Sequence, residues 1–130
     1  MDTQKTILVA EDDDTLRKML GIVFEDEGYE VDFAVDGQQA WELIQQAEYD
    51  LLVTDLFMPR LNGIELIKRC QKMHKTMKII MVSGGGKELV AEHMKQHIQY
   101  NGEDQYIDMF LKKPCDLSDI LDAVEQVLGQ

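Results

Sequence analysis

Four stretches of the chain carry side chains that could act together on a phosphoryl group. In "ILVAEDD" an apolar run is followed at once by Glu11, Asp12 and Asp13, and in "DLLVTDLFMPRLNGIE" a second run is followed by Asp55. "IIMVSGGG" brings Ser83, and "FLKKP" brings Lys112 and Lys113. Carboxylates crowded together raise one another's pKa unless a cation sits among them. Oxygen donors of that kind, with water completing an octahedron, suit Mg2+. A lysine adds a point charge and a serine a hydroxyl donor. Metal, ammonium and hydroxyl would all stabilise the anionic oxygens of a phosphoryl group in transfer. In that company Asp55 reads as the nucleophile, since carboxylates form aspartyl phosphates.

These residues lie far apart in sequence, so the fold has to bring them together. The apolar runs "TILVA", "YDLLVTD", "MKIIMVSGGG" and "IDMFLKK" read as strands, and "YEVDFAVDG" alternates Val31, Phe33 and Val35 as a half-buried strand. Between them run helical patterns. Leu16, Met19, Leu20, Val23 and Phe24 form an amphipathic stripe that Gly28 ends. Asp36 with Gln39 resembles a capping box ahead of Ala40, Leu43, Ile44 and Ala47. Asn62 with Glu65 caps a helix bearing Leu66, Ile67 and Cys70, and Asp116 caps one bearing Leu117, Ile120, Leu121, Val124 and Leu128. Leu89, Val90, Met94 and Ile98 suggest a further helix in the 84–105 segment, interrupted by Asn101 and Gly102.

Five strand–helix units predict an α/β fold: a doubly wound (βα)5 parallel sheet with helices on both faces. In such a sheet ligands bind beyond the carboxyl ends of the strands, at the switch point. Glu11 to Asp13, Asp55, Ser83 and Lys112–Lys113 follow the first, third, fourth and fifth strands. Each has an ordinary structural role open to it. The acids after the first strand suit a helix N-terminus, Asp55 a turn or cap, Ser83 a turn and Lys113 a solvated loop. Their joint placement at successive strand ends favours the chemical reading.

At these residues the chain resembles the receiver domain of two-component response regulators, over essentially its whole length. The resemblance implies a flavodoxin-like fold in which Asp55 accepts a phosphoryl group from a phosphohistidine on a sensor histidine kinase or histidine phosphotransfer protein. It implies Mg2+ bound by Asp12, Asp55 and the backbone carbonyl of Phe57, with Glu11 helping through water. Lys113 would pair with the phosphoryl group, Ser83 would move toward it, and Phe110 occupies the place of the switch aromatic. The Lys113–Pro114 bond is expected cis. Three features depart from the family pattern: Glu11 replaces the commoner Asp, Phe110 lacks a phenol hydroxyl, and Phe57 is apolar where attacking water must pass. The span from Ser83 to Lys113 also exceeds the usual spacing by about two helical turns, and it opens on Gly84, Gly85 and Gly86.

Bulk properties narrow the function classes. At 130 residues the chain suits one receiver domain over 1–130, and no apolar run approaches a membrane span. Thirteen Lys and Arg against 25 Asp and Glu give a net charge of -12, which opposes direct nucleic-acid binding. Cys70 and Cys115 lack metal-ligand spacing, and a reduced cytoplasmic setting follows as the expectation. His93 and His97 stand i, i+4 without an evident third ligand and read as an exposed face. Trp41 reads as partly buried at a helix–sheet seam. Two other functions compete with a phosphorylated receiver. One is a Mg2+-dependent aspartyl-phosphate phosphohydrolase, which would need an acid where Phe57 stands. The other is a receiver-like interaction module that takes no phosphate. The receiver itself is expected to act on no substrate beyond its own acceptor.

Overall fold

The computed structural model describes residues 4–73, 76–83 and 107–129. Five strands, β1 (Thr6–Ala10), β2 (Glu30–Ala34), β3 (Leu51–Thr54), β4 (Lys78–Ser83) and β5 (Met109–Lys112), form one parallel sheet in the order β2-β1-β3-β4-β5. The helices described are α1 (Asp14–Asp26), α2 (Gly37–Gln46), α3 (Gly63–Lys72) and α4 (Leu117–Leu128). The helix expected within 84–105, with His93 and His97, lies outside the described residues.

The central strands carry unbroken apolar runs, Ile7–Ala10, Leu51–Val53 and Ile79–Val82, because both of their faces are covered. Ile7, Val9, Leu51, Val53, Ile80 and Val82 point to one side, into a core closed by Leu20 and Phe24 of α1 and Ile120, Ala123 and Val124 of α4. Leu8, Ala10, Leu52, Ile79 and Met81 point to the other, against Ala40 and Ile44 of α2 and Leu66, Ile67 and Cys70 of α3. Period-two alternation thus sorts each strand between two helix layers, and the sheet is doubly wound.

The expected caps are present, with one difference. Asp36 Oδ1 accepts the Gln39 amide and Asn62 Oδ1 the Glu65 amide, and α1 has a cap that the sequence reading did not single out, Asp13 Oδ1 on the Leu16 amide. Gln39 reaches back past the cap to take the Val35 amide at 2.7 Å instead of that of Asp36. Gly28 follows α1 with φ +94°, as a left-handed end requires.

Two details of the apolar patterning are corrected. Met19 stays exposed on α1, because the core-facing stripe there is narrower than the sequence pattern. On β2 the buried residues are Val31 and Ala34, while Phe33 and Val35 are exposed. β2 is an edge strand, so its outward positions lack a second neighbour to cover them. The Phe33 ring instead lies across Gly21 of α1, so close that a Cβ there would stand 2.4 Å from it.

Candidate functional site

β1 lies between β2 and β3, so successive connections from it leave on opposite sides of the sheet and open a crevice at its carboxyl end. Ala10 pairs in register with Thr54, which puts Glu11 and Asp55 side by side as the two strands end. The ladder runs one bond further on each: the Asp55 amide donates to Ala10 O at 3.1 Å, and the Glu11 amide to Ala34 O at 3.1 Å. Both carboxylates therefore sit on rigid backbone.

Asp55 is 8% exposed and Glu11 4%. Lys113 arrives from the end of β5, and its ammonium lies between them, 3.0 Å from Glu11 Oε1 and 3.1 Å from Asp55 Oδ2. Burial alone would lower the Lys113 pKa, but the bonds and charges of Glu11 and Asp55 outweigh it and hold the ammonium above its ordinary value. Burial pushes the Glu11 carboxyl up, against the Asp13 amide and Lys113, which both favour its charged form. Asp55 Oδ1 takes the Phe57 amide at 3.3 Å. Among the described residues, no buried side-chain nitrogen or oxygen lacks a hydrogen-bond partner.

One carboxylate oxygen each from Glu11, Asp12 and Asp55 lies within 4.8 Å of the others. This donor set fits a hard divalent cation such as Mg2+. The three acids are not equivalent: Asp12 is exposed, whereas both Glu11 oxygens are engaged, Oε1 by Lys113 and Oε2 by the Asp13 amide at 3.0 Å. Asp13 is turned to capping α1.

The remaining expected residues divide. Ser83 ends β4 in register with Lys112, and its side chain lies outside what is described. Phe110 pairs with Met81 and is half-buried against the core on the α2–α3 face. Phe57, two residues past Asp55, is 43% exposed. The Lys113–Pro114 bond is cis, as the resemblance implied. Trp41 packs partly buried against the core, with the Arg69 guanidinium 5.7 Å from its ring centroid.

Some supports of the site went unread in the sequence. Gly63 opens α3 where a Cβ would stand 2.5 Å from the Asp55 carbonyl oxygen, and Gly37 opens α2 where one would stand 1.7 Å from the Leu61 carbonyl oxygen. The Gly63 amide donates to Leu56 O at 2.8 Å, and the Thr54 hydroxyl to Asp55 O at 2.9 Å. Arg60 takes a positive φ of 73° and pairs with Asp36 at 3.5 Å. Both glycines directly follow a cap residue, and that was the available signal. What they approach lies across the fold.

The family model for the response regulator receiver domain matches residues 7–125. The chain is 32% identical to the response regulator receiver protein CpdR of Brucella abortus, over 95% of this chain and 97% of that one. Several other curated relatives are longer, the chain spanning 12% of one and 24% of another. Among solved structures, a CheY-like receiver domain protein from Methanospirillum hungatei superposes with TM-score 0.85 at 25% identity, covering 98% of this chain and 95% of that one. The response regulator TrrA of Thermotoga maritima, solved in complex with Mg2+-BeF, gives TM-score 0.79 at 25% identity, with 95% and 99% covered. Fold, strand-end chemistry and sequence agree, and the chain belongs to the response regulator receiver domain family of two-component signalling.

Proposed function

We propose that residues 1–130 form a single receiver domain whose Asp55 accepts a phosphoryl group from a phosphohistidine on a sensor histidine kinase or histidine phosphotransfer protein. The observation that carries this is the Lys113 ammonium held 3.1 Å from Asp55 Oδ2 and 3.0 Å from Glu11 Oε1, at the crevice where β1 and β3 end. An Asp55 carboxylate oxygen forms the new P–O bond as the P–N bond breaks. The bonding pair leaves with the partner's imidazole, which takes up a proton. Lys113 stays beside Asp55 to offset the charge carried by the phosphoryl oxygens, and Ser83 contributes its hydroxyl from β4. Glu11, Asp12, Asp55 and the Phe57 carbonyl would hold Mg2+, which when bound supplies positive charge opposite those oxygens. Phe110, on β5 three residues before Lys113, serves as the aromatic that follows Ser83 when the site is modified.

The reading also covers location and partners. No helix among the described residues is long and apolar enough to cross a membrane. With a net charge of -12 and two free cysteines, we place the domain in the cytoplasm. There it binds protein partners and makes no direct contact with nucleic acid. It catalyses only its own phosphorylation and dephosphorylation.

Incubation with acetyl phosphate and Mg2+, followed by intact mass, tests the proposal. The wild type gains one phosphoryl mass, and Asp55→Ala gains none. Equal modification of Asp55→Asn, or acid-stable phosphate on Ser83, overturns the assignment. A wild type that never gains mass points to an interaction module that works without phosphate.

A further inference from the structure

Glu11 is where the chain leaves the sheet. Its amide makes the last ladder bond, to Ala34 O, but its carbonyl oxygen is taken by a side chain: Arg17 Nη1 donates to it at 2.9 Å. The other guanidinium nitrogen, Nη2, pairs with Asp14 Oδ1. One planar group thus grips both ends of the four-acid run Glu11–Asp14.

An Arg and an Asp three apart on a helix would ordinarily be a surface pair worth little. The exposures argue otherwise, since the Arg17 side chain is 11% exposed and that of Asp14 75%. The bond to the Glu11 carbonyl is therefore the sheltered one, and losing it would leave a part-buried backbone acceptor without that partner. From the far side, Lys113 holds Glu11 Oε1. Between these anchors, the Asp13 amide is bonded to Glu11 Oε2 and Asp12 is left exposed at the mouth of the crevice.

We propose that Arg17 is a positioning residue for the cation pocket: its two-pronged grip on the Glu11 carbonyl and Asp14 fixes the loop that presents Asp12. The inference rests on reading Glu11, Asp12 and Asp55 as a Mg2+ site. A lysine keeps the charge but cannot make both bonds with one planar group, so replacing Arg17 separates charge from grip.

Titration of the unphosphorylated protein with Mg2+, followed by backbone amide NMR shifts, tests this. The proposal requires saturable shifts in the wild type at Asp12 and Asp55, lost in Asp12→Asn. Arg17→Met weakens Mg2+ binding about ten-fold and Arg17→Lys about three-fold, equivalent to about 1.4 and about 0.7 kcal/mol. Asp14→Asn, which spares the carbonyl bond, changes it less than two-fold. In metal-free Arg17→Lys the Asp13 amide exchanges its hydrogen faster than in wild type, a readout that needs no cation. If Arg17→Met does not fold, the lysine variant carries the test alone. Mg2+ affinity within two-fold of wild type together with unchanged Asp13 exchange in Arg17→Lys overturns the Arg17 proposal and leaves the site reading standing. A wild type without saturable shifts overturns the site reading, and the Arg17 role falls with it.

Discussion

Two loops meet at the crevice, and they are held in opposite ways. The loop after β1, Glu11 to Asp13, is tied by side chains: Arg17 on the Glu11 carbonyl, Glu11 on the Asp13 amide, and Asp13 on the Leu16 amide. The loop after β3, from Asp55 to Asn62, is held mainly by backbone and by missing side chains. Gly63 lies against the Asp55 carbonyl and Gly37 against the Leu61 carbonyl, while the Gly63 amide bonds to Leu56 O. A side-chain tie can be weakened one bond at a time. A backbone contact with no room for a methyl group fails abruptly. The Asp55 loop has the less forgiving support, whereas the acidic loop can be adjusted by substitution.

Breaking the glycine contacts should give the largest effect. Alanine is favoured over glycine by about 1 kcal/mol inside a helix, yet we expect Gly37→Ala to destabilise the fold by about 3 kcal/mol and Gly63→Ala by about 2 kcal/mol, through overpacking against backbone. Urea denaturation measures both. A cost below about 1 kcal/mol for Gly37→Ala would mean that the acceptor loop yields, and the contrast between the loops would collapse. Asp13→Ala removes one side-chain tie and should cost about 1 kcal/mol, the ordinary value of an N-cap. A loss as steep as that of Gly37→Ala would show the two loops to be equally brittle.

Phe57 belongs to the acceptor loop but is exposed, so its replacement tests chemistry apart from support. An apolar ring two residues past Asp55 offers an attacking water no hydrogen-bonding group to orient it. We expect Phe57→Asn to speed autodephosphorylation several-fold, equivalent to a barrier change of about 1 kcal/mol. The measurement is decay of the phosphorylated protein after removal of the phosphodonor in excess Mg2+; an equal or slower rate would rule out this role for the ring.

The smallest effect concerns Lys113, which links the two loops. Its folded pKa is raised, so the folded state holds the lysine proton more tightly than the unfolded chain does. The stability this contributes is fully present below the ordinary lysine value of about 10.4 and is lost as pH rises through the folded value. In metal-free protein the stability difference between wild type and Lys113→Met should stay constant from neutral pH up to about pH 10 and shift against the wild type above it. A difference independent of pH would show that Lys113 is no electrostatic bridge.

Much of the fold could be read because it is written in local periodicity. The runs at Ile7–Ala10 and Leu51–Val53 are apolar at every position, as strands covered on both faces are, and the caps Asp36, Asn62 and Asp116 announce three helix starts. The errors fell where burial depends on neighbours. Phe33 and Val35 alternate like half-buried residues, but β2 became an edge strand, and no property of residues 30–35 says so. Met19 fits the α1 stripe by spacing and still misses the core.

For the site, residue types after apolar runs gathered Glu11 to Asp13, Asp55, Ser83 and Lys112–Lys113, because a parallel sheet places all its strand ends along one edge, and the family resemblance narrowed the acids and lysines to Glu11, Asp12, Asp55 and Lys113. Strand order and distance were not in the pattern. The Ala10–Thr54 pairing brings Glu11 beside Asp55, and the return of β5 sets Lys113 within 3.1 Å of both. The same holds for Arg17, Gly37 and Gly63. Each looks like an unremarkable helix residue along the chain, and each acquires its role from a carbonyl oxygen that folding brings to it. Hydrophobic period and capping act over a few residues and survive in any single stretch of sequence. Close approach between backbone segments is a property of the packed whole, and it appears only when the two helix layers close on the sheet.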